Sequence, residues 1–136
     1  MFRKGEITTR KNIKFKDNEK LDINLNGHPT VNLIDDDGSG NAYFLTMTSQ
    51  TANYIKNKDK CILMNTNKYN KLKRPSLVKV EHIYTREEEF RCTPTGILTS
   101  EEYNNVIDKL KDFKENNNCH KDNSGCRRYA EIKDKL

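Results

Sequence analysis

The chain contains no tryptophan, and apolar residues fill only 33% of its 136 positions. One domain is expected at that length, large enough for a modest core without metal or disulfides. So little apolar material makes the core small, and a share of it is expected to lie against a second copy of the chain. No apolar run approaches the length of a membrane span or of a signal peptide's core, which argues against a membrane partner and predicts a cytoplasmic location. Cysteine is scarce and scattered. Cys61, Cys92, Cys119 and Cys126 form no CxxC pair, so neither a zinc site nor a compact disulfide framework is indicated. Their closest grouping, Cys119-His120 with Cys126, sets three ligands at poor spacing and reads as a polar tail with free thiols. No metal and no other cofactor is expected.

Acidic charge is in the minority, with 20 Asp and Glu against 25 Lys and Arg and a formal net charge of +5. That balance leans toward a polyanionic partner. In the run from Lys11 to Lys16, Ile13 and Phe15 alternate with Lys14 and Lys16, a pattern that fits an exposed edge strand, an RNA-facing hairpin arm or a solvated loop. Lys71, Lys73 and Arg74 crowd a second basic connection just before Pro75.

The best candidates for chemistry lie between Gly27 and Gln50. His28 to Ile34 is rich in β-branched and aliphatic residues, with Pro29 at a position that suits a strand start or an edge. Ala42 to Gln50 forms a second extended arm, and Asp35 to Asn41 between them supplies the short polar and glycine residues of a turn. Paired as a hairpin, the arms bring His28 at the start of one toward Thr48 and Ser49 at the end of the other. An imidazole then faces two hydroxyls. The turn imitates the opening of an EF-hand loop through Asp35, Asp37, Ser39, Gly40 and Asn41, but the twelfth position is Thr46 where a bidentate Glu is needed, and the flanks are strand-like. It reads as a hairpin turn.

Around the hairpin, Lys4 to Ile7 predicts a short first strand and Thr8 to Lys20 a polar loop. Leu21, Ile23 and Leu25 alternate with polar residues in an extended segment. Cys61 to Met64 predicts a buried strand. Ser76 to Thr85 predicts one long strand, with Leu77, Lys79, Glu81 and Ile83 on one face and Val78, Val80, His82 and Tyr84 on the other. Thr99-Ser-Glu-Glu102 is a capping box, and Tyr103, Val106, Ile107, Leu110 and Phe113 recur at helical spacing after it. Residues 1–115 therefore read as the main domain, and 116–136 as a charged extension with a weak stripe at Tyr129, Ile132 and Leu136.

Strands followed by a capped helix, carrying these motifs in this order, resemble the PemK/MazF family of toxin endoribonucleases from bacterial toxin–antitoxin systems. The family's opening basic residue before Gly-(Asp/Glu)-Ile/Val is matched by Lys4-Gly5-Glu6-Ile7, and its Arg-Pro-Val-Leu-Val strand by His28-Pro29-Thr30-Val31-Asn32. Its Thr-Ser strand end is matched by Thr48-Ser49-Gln50, its later Ser-Val-Ile/Leu strand by Ser76 to Glu87, and its turn into the last helix by Gly96-Ile97-Leu98 through Glu102. The related ToxN/AbiQ type shares the Thr-Ser strand end. The resemblance implies a mainly β fold, a small SH3-like twisted β-barrel with a C-terminal helix.

It also implies RNA cleavage by transesterification, in which the 2′-OH attacks the adjacent phosphorus without a protein nucleophile or metal. His28, standing where the family has Arg, is then base or acid, because an imidazole titrates near neutrality with a reference pKa of ~6.5. Thr48 and Ser49 are donors to the phosphate, and Glu81 is the candidate for the other proton transfer. Lys4, Lys14, Lys16, Gln50, Lys73, Arg74, Lys79 and His82 are the expected RNA-binding residues. The implied partners are single-stranded RNA, a cognate antitoxin of protein or RNA, and a second subunit. Two other readings fit the same barrel: a non-catalytic RNA- or protein-binding module, and a CcdB-type toxin directed at gyrase.

Overall fold

A computed structural model describes residues 2–10, 27–53, 56, 58–87, 93–116 and 124–136. Its organising feature is the central hairpin, formed by His28–Asn32 (β2) and Asn41–Thr48 (β3). The arms pair antiparallel with Thr30 opposite Thr46, Val31 opposite Leu45 and Asn32 opposite Phe44. The acidic connection folds onto itself. Asp36 accepts from Gly38 N–H at 2.9 Å, and Asp37 accepts from the Ser39 N–H at 2.9 Å and the Ser39 hydroxyl at 2.6 Å. Gly38 and Gly40 hold φ of 88° and 81°, values that L side chains resist. The Ser39 hydrogen bonds, helped by Lys135 at 3.2 Å, hold the Asp37 carboxyl down at about 2. These carboxylates close a turn, as the sequence predicts.

Glu6–Arg10 (β1) pairs antiparallel with β2, setting Ile7 opposite Val31 and Arg10 opposite His28. The first strand thus extends three residues past Ile7 into what the sequence reads as a loop. Beyond β1 lies Gly96–Ile97 (β7). Cys61–Met64 (β4) and Ser76–Lys79 (β5) form a hairpin whose second arm pairs with the end of β3, Thr48 opposite Leu77, while Tyr84–Glu87 (β6) pairs with the start of β3. The order is β4-β5-β3-β2-β1-β7, with β6 sharing the β5 edge of β3. Every pairing is antiparallel, and the result is a curled half-barrel sheet with a helix against it. No helix among the described residues is long and apolar enough to cross a membrane.

The long strand expected over Ser76 to Thr85 breaks at Glu81 and His82. Val78, Val80 and Ile83 all enter the main core, so the two-residue alternation changes phase at the break and Tyr84 turns to the opposite face, beside Phe44. A broken strand leaves carbonyls out of the ladder, and burying them unpaired costs about 1–3 kcal/mol each. Long cationic side chains take them up. Lys114 Nζ donates to the Glu81 carbonyl at 2.6 Å and Arg128 donates to the Ile83 carbonyl at 2.8 Å. Lys114 is 5% exposed, and its burial lowers the ammonium pKa from the usual lysine value.

Those two cations come from Ser100–Asn116 (α1) and Ser124–Ile132 (α2). α1 begins at the expected capping box, with Glu102 N–H donating to the Thr99 hydroxyl at 3.1 Å and Thr99 N–H to the Glu102 carboxylate at 3.0 Å, a cap of about 1 kcal/mol. Tyr103, Val106, Ile107 and Leu110 pack beneath the sheet with Ile7, Val31, Leu45 and Met47, and Tyr129 and Ile132 of α2 join the same cluster. Tyr103 also donates its hydroxyl to the Leu33 carbonyl at 2.6 Å. The segments containing Leu21, Ile23 and Leu25, and the thiols of Cys92, Cys119 and Cys126, lie outside the described residues. Cys61 is buried and free, and burial pushes its thiol pKa up, which keeps it protonated and inert.

Candidate active site

Strand periodicity divides the hairpin between two environments. Odd-numbered Val31, Leu45 and Met47 enter the apolar core. The even-numbered side is polar and buried: Thr8, Arg10, Thr30, Asn32 and Thr46 are each at most 3% exposed. Such a face carries a heavy desolvation cost unless its polar atoms pair. Arg10 does most of the pairing, donating to the Thr30 hydroxyl and, at 2.8 Å, to the Asn32 side-chain oxygen. Its guanidinium lies over the Phe44 ring at 4.3 Å from the centroid, and Phe44 stacks on Tyr84 at 5.9 Å. Thr30 passes its own proton to the Thr8 carbonyl at 2.6 Å. The Asn32 amide nitrogen finds no acceptor among the described residues.

His28, half-buried, is directly opposite Arg10 and belongs to this face. Carried two residues beyond the Thr30–Thr46 pair, the β2–β3 register levels His28 with Thr48. Leu77 sits opposite Thr48, and the same alternation brings exposed Lys79 to their side of the sheet. His28 and Thr48 therefore share one face, as expected, together with Lys79 of the expected RNA-binding set, whereas Ser49, expected beside Thr48, does not. The Thr48 hydroxyl accepts from Gln50 N–H at 3.2 Å, a local turn that leaves its own proton for another acceptor. Gln50 is exposed at the turn. Glu81 and His82 stand at the strand break, the carboxylate 3.9 Å from His82 Nε2 and 3.8 Å from Lys60 Nζ. The His82 ring lies 6.4 Å from that of Tyr84, which ties it to the same face.

Other expected residues sit elsewhere. Ser49 departs from Thr48 and lines a cleft with Lys73 and Arg74. Lys4 lies beside α1, its ammonium 5.5 Å from the centre of the Tyr103 ring, in a separate groove. Lys14 and Lys16 fall outside the described residues. Arg10 is the residue that sequence reading missed. Its signal is the short alternation of Ile7 and Thr9 with Thr8 and Arg10, which a polar strand facing a polar layer produces and which resembles a loop when read alone.

The loop from β4 to β5 carries the cleft's cations and is tightly held. Asn70, 1% exposed, accepts from Asn67 N–H and Leu72 N–H, both at 3.1 Å, and donates to the Asn65 carbonyl at 2.8 Å and to Glu102 at 3.2 Å. Lys71 follows with φ at 52°, a left-handed conformation that costs a non-glycine residue on the order of 1–3 kcal/mol. Among the described residues no cluster of three His, Cys, Asp or Glu is placed to hold a metal ion. Compared with known proteins, the chain matches no family model and no curated protein.

Proposed function

We propose that the chain is the toxin of a bacterial toxin–antitoxin system, a metal-independent endoribonuclease of PemK/MazF type that cuts single-stranded RNA in the cytoplasm. The curled antiparallel sheet under a helix is read as that family's SH3-like barrel. One observation carries the proposal: the strand register, carried to the strand ends, sets His28, Thr48 and Lys79, distant in sequence and singled out by chemistry, on the same face of the sheet. His28 takes or returns the proton of the 2′-OH. The attacking oxygen closes a 2′,3′-cyclic phosphate, and the bond to the departing 5′-oxygen breaks as that oxygen gains a proton. Thr48 and Lys79 stabilise the charge that grows on the phosphoryl oxygens. The Glu81–His82 pair serves the second proton transfer.

The test is incubation of the purified protein with total RNA in excess EDTA, followed by end mapping. Cyclic phosphate and 5′-hydroxyl ends are expected, and 5′-phosphate ends, the mark of an activated water, would refute the mechanism. Binding without cleavage would replace the enzyme with a binding module. In cells, His28→Ala and Thr48→Ala are each expected to relieve growth arrest, since loss of a proton-transfer group or of a donor to the developing phosphoryl charge lowers the rate by about 10²-fold or more. Soluble, folded variants that stay fully toxic would remove these residues from the site.

A further inference from the structure

Thr48 and Ser49 are adjacent in sequence yet lie on different surfaces, Thr48 on the His28 face of the sheet and Ser49 in a cleft of about 510 Å³. That volume falls within the roughly 300–1,000 Å³ of small-ligand sites. Its floor is apolar, formed by Pro29 and Leu72, and its rim is cationic, formed by Lys71, Lys73 and Arg74. Among the described residues that line it, none is acidic. The rim does not hang on a loose tether. Asn70 fixes the loop to α1 through Glu102, and the left-handed backbone at Lys71 marks the kind of strain that persists where a ligand clamp is over-determined by its surroundings. Gly96 presses against the Asn70 backbone from the other side.

We propose that this cleft seats one nucleotide of the RNA strand, next to the phosphate that is cut. Its base lies on Pro29 and Leu72, its phosphate is held between Lys73 and Arg74, and the strand turns over Thr48 and Ser49 to deliver the neighbouring phosphate to His28. The inference rests on the ribonuclease reading and adds to it the path of the strand. An acidic peptide would satisfy the cations but leave the apolar floor uncovered, whereas a nucleotide joins a flat apolar face to an anion. A rim already ordered also spares the ligand the cost of ordering it.

The probe is a fluorescein-labelled oligodeoxyribonucleotide, which lacks the 2′-OH and stays intact, followed by anisotropy across a salt series. Two variants remove charge: Lys73→Ala with Arg74→Ala, and Lys71→Gly, at a positive φ that glycine accepts freely, so that the loop keeps its shape. For every phosphate that the variant ceases to neutralise, the slope of log K against log salt is expected to become shallower by about 0.7. Oligonucleotide binding by the parent protein with slopes unchanged in both variants would overturn the cleft assignment and leave the ribonuclease reading standing. A parent that neither binds the oligonucleotide nor cuts RNA would overturn both. A polyglutamate peptide whose binding alone responds to these variants would assign the cleft to an acidic protein segment instead.

Discussion

Gly96→Ala probes the joint on which the cationic rim rests. Gly96 is not among the glycines held at positive φ, and what forbids a side chain there is proximity. A Cβ would collide with the Asn70 carbonyl oxygen, stand 2.6 Å from the Asn70 carbonyl carbon and 3.1 Å from the Tyr69 oxygen. All three are backbone atoms, which cannot rotate aside. Carbon atoms rest at about 3.5–4.0 Å, so β7 and the loop must part by about 1 Å. The Ile97 N–H to Tyr69 carbonyl bond, now 3.0 Å, then stretches beyond the ~3.2 Å reach of a hydrogen bond. Its loss costs about 0.5–1.5 kcal/mol and the overpacking about 1–3 kcal/mol, against a gain of roughly 0.5–1 kcal/mol for replacing glycine within a strand. The balance is a net loss of about 2 kcal/mol, or roughly 4–8 °C in Tm at the 2–4 °C per kcal/mol of a domain this size. Thermal unfolding by circular dichroism reads it. A variant as stable as the parent would refute the close-approach argument, because strand propensity alone predicts a gain.

Three further outcomes follow from the packing. Arg10→Met is expected to cost about 3 kcal/mol or more in urea unfolding, since two hydrogen bonds from a charged donor contribute about 1.5–3 kcal/mol each; an unchanged midpoint would remove Arg10 from the support of the polar face. Burial, with Glu115 beside Tyr129, raises the Tyr103 and Tyr129 hydroxyls from 10.0 to about 12. Stability from these groups is therefore complete below pH 10 and lost as pH rises toward 12, so the double variant Tyr103→Phe, Tyr129→Phe should flatten that alkaline loss, and an unaltered slope would count against it. Leu63, Tyr69 and Ile97 are 36%, 51% and 42% exposed, and sedimentation is expected to find a species near twice the 15.9 kDa chain; a monomer at every accessible concentration would dismiss the dimer.

The central hairpin and α1 were legible in the sequence because local chemistry and burial agree there, and β4 forms as a strand where expected but at the sheet edge, with Leu63 exposed instead of buried. β-branched arms flank a turn of Asp and Gly, and the Thr99–Glu102 box opens an apolar stripe. Two features were not, for opposite reasons. β1 continues through Thr8, Thr9 and Arg10, whose polarity signals a loop until the polar layer of Thr30 and Asn32 is known to lie beside them. Ser76 to Thr85 alternates well enough for one strand, and its break at Glu81 depends on carbonyl acceptors being met by Lys114 and Arg128, residues 33 and 45 positions away. The separation of Ser49 from Thr48 was implicit in a two-residue repeat. The Asn70 clasp, which sets the cleft's rim, involves side chains that carry no pattern in the sequence.

The strand break has a bearing on the order in which the protein is made. The seven strands among the described residues all precede α2 in the chain, so a sheet that forms before α2 emerges carries an Ile83 carbonyl without its Arg128 donor. The bend between β5 and β6 gains the Arg128 hydrogen bond only after synthesis has passed that residue. Lys79, Glu81 and His82 flank that bend. A chain interrupted before α2 would hold the β2–β3 hairpin yet lack the Arg128 bond to the Ile83 carbonyl at the corner beside Glu81 and His82.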